Sequence, residues 1–423
     1  MWRKFLQIWK VKDLRKSILF VLAMLVIFRV GAHIPVPGIN TENLKELFSQ
    51  NQVLGFLNLF SGGTMESFSI LALGVAPFIT ASIIFQLLTM IVPALEKLSK
   101  EPDGRQRINK YTRYLCVPLA MLQSVAMISL LKQSQLNIVG DLSAFETFTI
   151  VMTVTAGTVF LMWIGELISE KHIGNGISFL IFAGIISGLP KFIQQVAVTF
   201  DRDQLFTLLL YTGIAIVTVA GVVMINEAQR NVPVSYAKRV RGQRMYGGMD
   251  THLPLRVNMA GVIPIIFAIS LVIFPPMVGQ FFVNAQTAWV AGAAQFVIDL
   301  FQNQLFYGIF YFTLVVAFTY FYTAVIFHPE QIADNLQKQG GFIPGIRPGR
   351  YTSEYLGRVI NRILLAGSLF LGLIAVLPLL MQVVTGSQTM IIGGASILIV
   401  VSVVIESVKQ IESQLTMREY EGF

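Results

Sequence analysis

Apolar residues run along this chain in long uninterrupted stretches, without the alternation of half-buried strands or the spacing of one-sided helices. Such runs mark helices that are apolar all round, and about 20 residues of that kind cross the roughly 30 Å hydrocarbon core of a bilayer. The pattern predicts ten spans, at residues 17–32, 70–92, 111–131, 148–168, 176–198, 205–225, 257–274, 306–327, 363–381 and 390–408. The others are arranged around the stretch 55–93, which is too long for one straight span. It holds a polar break, Ser61-Gly62-Gly63-Thr64-Met65-Glu66-Ser67. A short outer helix over about 55–66 that enters and stops, followed by a full span, accommodates the break. Backbone that bends at membrane depth must be buried in protein or line a wet cavity, because lipid satisfies no N–H or C=O group. A cavity is therefore expected. The short helix is either a stopper at its mouth or a re-entrant packing helix that never moves, and these residues leave both open.

An even number of spans puts both termini on one side. On that side, tails and loops carry 26 of the 31 lysines and arginines, whereas Arg29, Lys45, Lys132, Lys191 and Arg202 lie near the other face. Positive charge gathers on the cytoplasmic side of membrane proteins, so both termini are expected in the cytoplasm. Arg29 also interrupts the first apolar run and no small-residue cleavage pattern follows it, which argues for an uncleaved first span over a secretory signal. Pro35 and Pro37 then force an extended outer segment.

Composition agrees with a polytopic membrane protein. Of 423 residues 54% are hydrophobic and 13% charged, with a mean hydropathy of +0.68. The net charge of +8 is largely orientation signal, so it does not argue for nucleic-acid binding. Cys116 is the sole cysteine and the four histidines are scattered, so neither an internal disulfide nor a metal site is indicated, and no cofactor is expected.

Two loops carry more basic and turn-forming residues than orientation needs. Residues 227–256 alternate β-type and turn character around a basic tip, and in 328–362 the Gly340-Gly341 pair and Pro344, Gly345, Pro348 and Gly349 would hold Arg347 on a stiff turn. Ordered long loops are usually functional. They fit either docking surfaces for an anionic cytoplasmic partner or anchors on anionic lipid.

The predicted spans hold almost no ionisable groups of the kind an ion-coupled transporter needs near the midplane. No metalloprotease, serine-hydrolase or phosphate-loop motif is present either, so no enzyme is expected. Anything that moves through this protein must be driven by a partner.

Several blocks are familiar. Phe28-Arg29-Val30-Gly31 with Ile34-Pro35-Val36-Pro37-Gly38-Ile39, Asn58 to Gly63, Ala81 to Leu88, Gly174 to Ser178, Thr251 to Leu255, Val257 to Pro264, Ala333 to Leu336 and Phe342 to Gly349 closely resemble the SecY family, the central subunits of the Sec protein translocase. The resemblance covers essentially the whole chain. It implies an all-α polytopic membrane protein with ten transmembrane helices in two inverted pseudo-symmetric halves, 1–198 and 199–423, around an hourglass pore. The hinge between them would lie near 191–205.

By motif position the resemblance implies a pore ring of Val75, Ile79, Ile177, Ile181, Ile266 and Ile399, with valine at 75 where many relatives have isoleucine. Both same-span pairs are i and i+4 and so share a helical face, as ordinary packing pairs also do. It makes about 54–66 a plug, including Phe56, Leu57, Asn58, Phe60, Ser61, Gly62 and Gly63. It makes the second and third spans against the seventh and eighth a lateral gate, with Thr80, Gln86 and Asn258 as polar contacts or as ordinary packing residues. Lys238, Arg239, Arg241, Arg244 and Arg347 become docking residues for the ribosome and the SecA motor ATPase, with glutamine at 243 where some relatives carry arginine. Further implied partners are the SecE and SecG subunits, unfolded secretory polypeptides, signal peptides and membrane lipid, at the bacterial plasma membrane. The function implied is a passive protein-conducting channel. Its rival from the residues is a small-solute transporter, which also uses inverted repeats and broken helices. The missing intramembrane charges and the basic loops favour the channel.

Overall fold

A computed structural model describes residues 11–37, 39, 42–44, 58, 61, 63–101, 103–133, 138, 140, 143–198, 205–236, 239–241, 244–246, 250–283, 287–385 and 394–421. The helices are α1 (Lys12–Gly31), α2 (Ala76–Ile91), α3 (Pro93–Lys100), α4 (Gly104–Gln133), α5 (Ala144–Ser169), α6 (Gly176–Val198), α7 (Leu205–Glu227), α8 (Ile263–Phe282), α9 (Ala288–Gln302), α10 (Gln304–Ile326), α11 (Pro329–Lys338), α12 (Arg350–Thr385) and α13 (Gly394–Glu421). The strands are β1 (Gln229–Tyr236), β2 (Arg239–Arg241), β3 (Arg244–Tyr246), β4 (Asp250–Arg256) and β5 (Gly341–Phe342). Each of the ten predicted stretches overlaps a helix, with residues 390–393 of the last one outside the described residues.

Among the described residues five helices are long and apolar enough to cross a membrane: Gln106–Lys132, Ala144–Ser169, Leu208–Glu227, Gln304–Lys338 and Arg350–Gln382. A sixth arises if α2 and α3, bent by 105° at Val92-Pro93, count as one broken span. Two apolar helical stretches, Gly176–Pro190 and Ile263–Pro276, are shorter, and each ends at a proline, which removes an intrahelical donor.

The structure corrects several boundaries: the seventh span, expected from residue 257, is helical only from Ile263, and the outer helix expected over about 55–66 gives way to a bend and turns from Gly63 on. The second span was expected from residue 70, but residues 70–75 form turns and the helix starts at Ala76. Gly74 takes φ +57°, a left-handed conformation that ends the turns just before Pro77 opens the helix. The segment after Pro93, expected as a loop to about residue 110, is helical on both sides of Glu101–Asp103. Gly104 makes that reversal feasible, since a Cβ there would lie 1.6 Å from the Leu98 carbonyl oxygen.

The chain divides into two compact units, one of Met1–Leu209, Ile269–Tyr307 and Ile399–Phe423, the other of Leu210–Ala268 and Gly308–Leu398. In the first unit, Ser143 and Glu146 form a capping box that starts α5: the Ser143 hydroxyl accepts from Glu146 N at 3.2 Å, and Glu146 accepts from Ser143 N at 2.8 Å. Glycines then bring α5 against its neighbours. A Cβ on Gly157 would sit 1.9 Å from the Ile70 carbonyl oxygen, and one on Gly176 would sit 1.8 Å from that of Gly165. In the second unit, β1 pairs antiparallel with β4 and, by its other edge, with β5. Val232, Val234, Leu255, Leu336, Ile343, Leu356, Val359 and Ile360 form one core beneath this sheet.

Candidate functional site

The expected plug is described at Asn58, Ser61 and Gly63 to Glu66. Phe56, Leu57, Phe60 and Gly62 lie outside the described residues. Asn58 and Glu66 are bonded twice, Asn58 Nδ2 donating to Glu66 Oε2 at 2.9 Å and Glu66 N donating to Asn58 Oδ1 at 3.0 Å. The Asn58 carbonyl oxygen also accepts from Gly63 N at 2.8 Å and from the Ser61 hydroxyl at 3.0 Å. Ser61 in turn accepts the Thr64 hydroxyl on its carbonyl at 2.8 Å. These bonds satisfy polar groups at the break without water. They explain why Ser61 and Thr64 can be buried, while the buried Ser69 hydroxyl accepts from Leu71 N at 3.2 Å.

The following segment is tied to the C-terminal end of α1. Val36 N donates to the Phe68 carbonyl at 2.9 Å, Ile70 N to that of Ile34 at 3.0 Å, and the Ser67 hydroxyl to that of Ala32 at 3.2 Å. Phe68 is buried with φ +39°, an uncommon conformation for a bulky residue. A cluster that includes Val36, Leu44, Met65, Phe68, Leu131, Ile138 and Val154 surrounds it and holds it there. Ser61 packs on the turn at the head of α2, where a Cβ on Gly74 would stand 3.2 Å from Ser61 Cα. The polar knot is therefore seated one residue from Val75.

Val75 is the N-cap of α2 and its carbonyl accepts from Ile79 N at 3.1 Å, so the two side chains are one turn apart and both are buried. Ile177 and Ile181 stand in the same relation on α6, whose start is fixed by Asn175 Oδ1 accepting from Ile177 N at 3.0 Å and Ser178 N at 3.3 Å. A Cβ on Gly165 would meet the Ile177 Cδ1 at 2.6 Å, so glycine at 165 leaves the space that Ile177 fills. Ile399 on α13 belongs to the same unit and is buried; Ile266 on α8 is buried in the second unit.

Of the three gate candidates, Thr80 turns its hydroxyl back to the Ala76 carbonyl of its own helix at 3.0 Å. Gln86 keeps a buried Oε1 without a hydrogen-bond partner among the described residues. Asn258 donates to Asn226 Oδ1 on α7 at 2.7 Å and to the Gly261 carbonyl at 3.2 Å. Asn226 was not anticipated. It stands near the end of an apolar helix, and only its polarity there marked it.

The two basic loops form one structure. Ser235 pairs with Phe342 and Tyr236 with Gly341, so the loop after α7 and the loop after α10 share a sheet. Arg239 and Arg241 lie on β2 and Arg244 on β3, with Arg241 opposite Arg244 across the hairpin. Lys238 lies outside the described residues. Arg347 is exposed on a turn whose glycines take positive φ, +73° at Gly340, +81° at Gly345 and +91° at Gly349. Thr352 Oγ1 donates to the Arg347 carbonyl at 3.0 Å and fixes that turn to α12.

With this geometry in hand, the family model described as SecY matches residues 69–408. The chain belongs to the SecY family. The protein translocase subunit SecY of Streptomyces galbus is 46% identical over 437 residues, covering 99% of each chain. The SecY subunit of Mycobacterium tuberculosis is 43% identical over 440 residues, with the same coverage. Among solved structures, a protein-conducting channel superposes with a TM-score of 0.64 at 19% identity, over 93% of this chain and 91% of that one. A channel from the canine ribosome-channel complex of the endoplasmic reticulum gives 0.62 at 18% identity, over the same shares. These two likenesses establish the fold, that of a mostly helical polytopic membrane protein.

Proposed function

We propose that this chain is the pore subunit of a passive, gated polypeptide channel of the bacterial plasma membrane, and not an enzyme. Unfolded secretory proteins pass outward through it, and apolar membrane segments leave it sideways into lipid. The observation that carries this reading is the match to translocase SecY subunits over 99% of both chains. The near-absence of charge around the middle of the predicted spans supports it, since a passive pore needs none.

Val75, Ile79, Ile177, Ile181, Ile266 and Ile399 are the ring. Aliphatic side chains offer no specific hydrogen bond, so they dewet when closed and seal around a chain of any sequence. The segment from about 54 to 66 is the plug, with the Asn58 knot as its latch. Spans one to five and six to ten form two inverted halves, with α2 and α4 facing α8 and α10 at the lateral gate, where Thr80, Gln86 and Asn258 bias closure. Both termini are cytoplasmic. Lys238, Arg239, Arg241, Arg244 and Arg347 receive the ribosome during insertion and the SecA motor during export, and SecE and SecG complete the complex. Docking is favoured over lipid anchoring because β1 and β5 join the two basic loops into one folded surface.

A photo-crosslinker at Ile79, and separately at Ile181, tests this reading in membranes carrying a secretory precursor stalled mid-transfer. Leu209, exposed on α7, is the control. Adducts are expected from both ring positions and none from the control. Absence of adducts at both ring positions, with solute uptake by vesicles of the purified protein, would instead install the transporter.

A further inference from the structure

Helix α9 lies between two apolar helices and has three distinct stripes. Ala294, Ile298 and Phe301, spaced i, i+4, i+7, are buried. They face α8, where a Cβ on Gly279 would meet the Ala294 carbonyl oxygen and Ile298 Cγ1, both at 3.3 Å. Gln295, Asp299 and Gln302 repeat the same spacing one residue later and are exposed, with Gln295 Nε2 donating to Asp299 Oδ1 at 2.8 Å. At 100° per residue the remaining sector holds Trp289, Ala293, Phe296 and Leu300. Trp289 is 79% and Phe296 66% exposed. Polar groups thus occupy a narrow stripe, and the apolar residues on its two sides face different surroundings, protein on one and, among the described residues, nothing on the other.

We propose that α9 is an in-plane helix of the outer leaflet, whose Trp289–Phe296 face lies in phospholipid while the Gln295–Asp299–Gln302 stripe faces water. A lone buried stripe would describe a helix docked on protein in water. A second apolar stripe ending in an exposed tryptophan fits the headgroup boundary, where an amphipathic ring has an apolar body in lipid and a polar N–H at the interface. The exposed face continues into the membrane-facing surface on both sides, through Phe282 at the end of α8 and Leu305 at the start of α10. Phe301 packs edge-to-face on Phe306 at 5.4 Å, which fixes α9 to the base of α10. Asp299 is the sole charged side chain on the helix, so nothing on it selects anionic lipid. Binding is set by apolar area and is indifferent to headgroup charge.

The leaflet assignment rests on the orientation proposed above; contact with lipid does not. The test uses the full chain with Cys116→Ala, carrying a nitroxide at Phe296→Cys or at Gln295→Cys, in phosphatidylcholine nanodiscs with and without phosphatidylglycerol. Position 296 is expected to be several-fold more accessible to oxygen than to an aqueous nickel chelate, position 295 the reverse, in both lipids. Trp289→Cys should behave as position 296 and guards against a local defect in one variant. Shielding of 296 and 289 from both relaxers would mean a protein partner or a second copy covers the face, and would overturn the proposal. Equal chelate access at 295 and 296 would also overturn it. In oriented vesicles an impermeant thiol reagent should reach position 295 from outside only. Reaction from the cytoplasmic side alone would reverse the orientation and leave the lipid contact at 296 standing.

Discussion

Asn58 and Glu66 hold each other through both ends of the asparagine amide, one bond to the carboxylate and one from the backbone, across eight residues of chain. The ring they close restrains the described part of the proposed plug. Net of exchange with water, a hydrogen bond to a charged group such as the Glu66 carboxylate contributes about 1.5–3 kcal/mol, and a neutral one such as Glu66 N to Asn58 Oδ1 about 0.5–1.5 kcal/mol.

Asn58→Ala removes both bonds and leaves the Gly63 and Ser61 bonds to the Asn58 carbonyl intact. The expected outcome is a looser seal, with the unplugged population raised about tenfold, the equivalent of roughly 1.4 kcal/mol. Halide permeability of resting proteoliposomes reads this directly. Glu66→Gln keeps an acceptor for Asn58 Nδ2 and should raise permeability less. Identical resting permeability in Asn58→Ala and the parent would remove the latch role.

At the α5–α6 contact, two glycines should respond differently to alanine. The Gly176 Cβ would run into the Gly165 backbone carbonyl, which cannot yield without moving a helix, whereas the Gly165 Cβ would meet only the tip of Ile177. Gly176→Ala is expected to cost more than the about 1–3 kcal/mol typical of overpacking, seen as a lowered Tm in detergent. Gly165→Ala should cost less, and Ile177→Val in the same chain should restore part of the loss by withdrawing Cδ1. Equal losses with no rescue would show that Ile177 does not fill the space beside Gly165.

These particulars show where sequence was informative. The ten apolar stretches are legible because lipid demands unbroken apolar helices, and each overlaps a helix. Arg347 on a glycine-rich turn was legible because Gly340, Gly345 and Gly349 announce positive φ. The Asn58–Glu66 ring was not, since a hydrogen bond between a loop asparagine and a carboxylate eight residues away leaves no periodic trace. The β1–β5 pairing joins strands about a hundred residues apart, one of them only two residues long. The aliphatic ring residues look like any packing pair, and only their motif positions single them out. Helix α9 was missed because its Gly292 and short length make it resemble a loop between spans.

Asn226 and Asn258 should be energetically coupled. Their 2.7 Å bond joins α7 to the segment before α8, and interhelical amide pairs in membranes contribute about 0.6–2 kcal/mol. A double-mutant cycle with Asn226→Ala and Asn258→Ala, read by SDS unfolding, is expected to return about 1 kcal/mol. Additive losses would show that Asn258 acts elsewhere. Lateral release of an apolar segment in the two single variants then separates the gate role from stability, since a purely structural pair lowers unfolding resistance without changing the release rate.

Arg347 offers the sharpest test of the proposed docking surface. Its side chain is exposed while its carbonyl is held by Thr352, so a charge change leaves the turn intact. An exposed charge at the rim of a docking surface acts mainly on association rate and is screened by salt. Arg347→Glu is therefore expected to slow ribosome association with proteoliposomes several-fold at low ionic strength, and the deficit should shrink as salt rises. Gly345→Ala probes the same surface through its shape: at φ +81° with open space around the Cβ, alanine is strained by backbone alone, at about 1 kcal/mol. Its deficit should persist at high salt, because it distorts the turn instead of the field. A salt-independent loss in Arg347→Glu would mean that the arginine shapes the turn and does not meet the partner's charge.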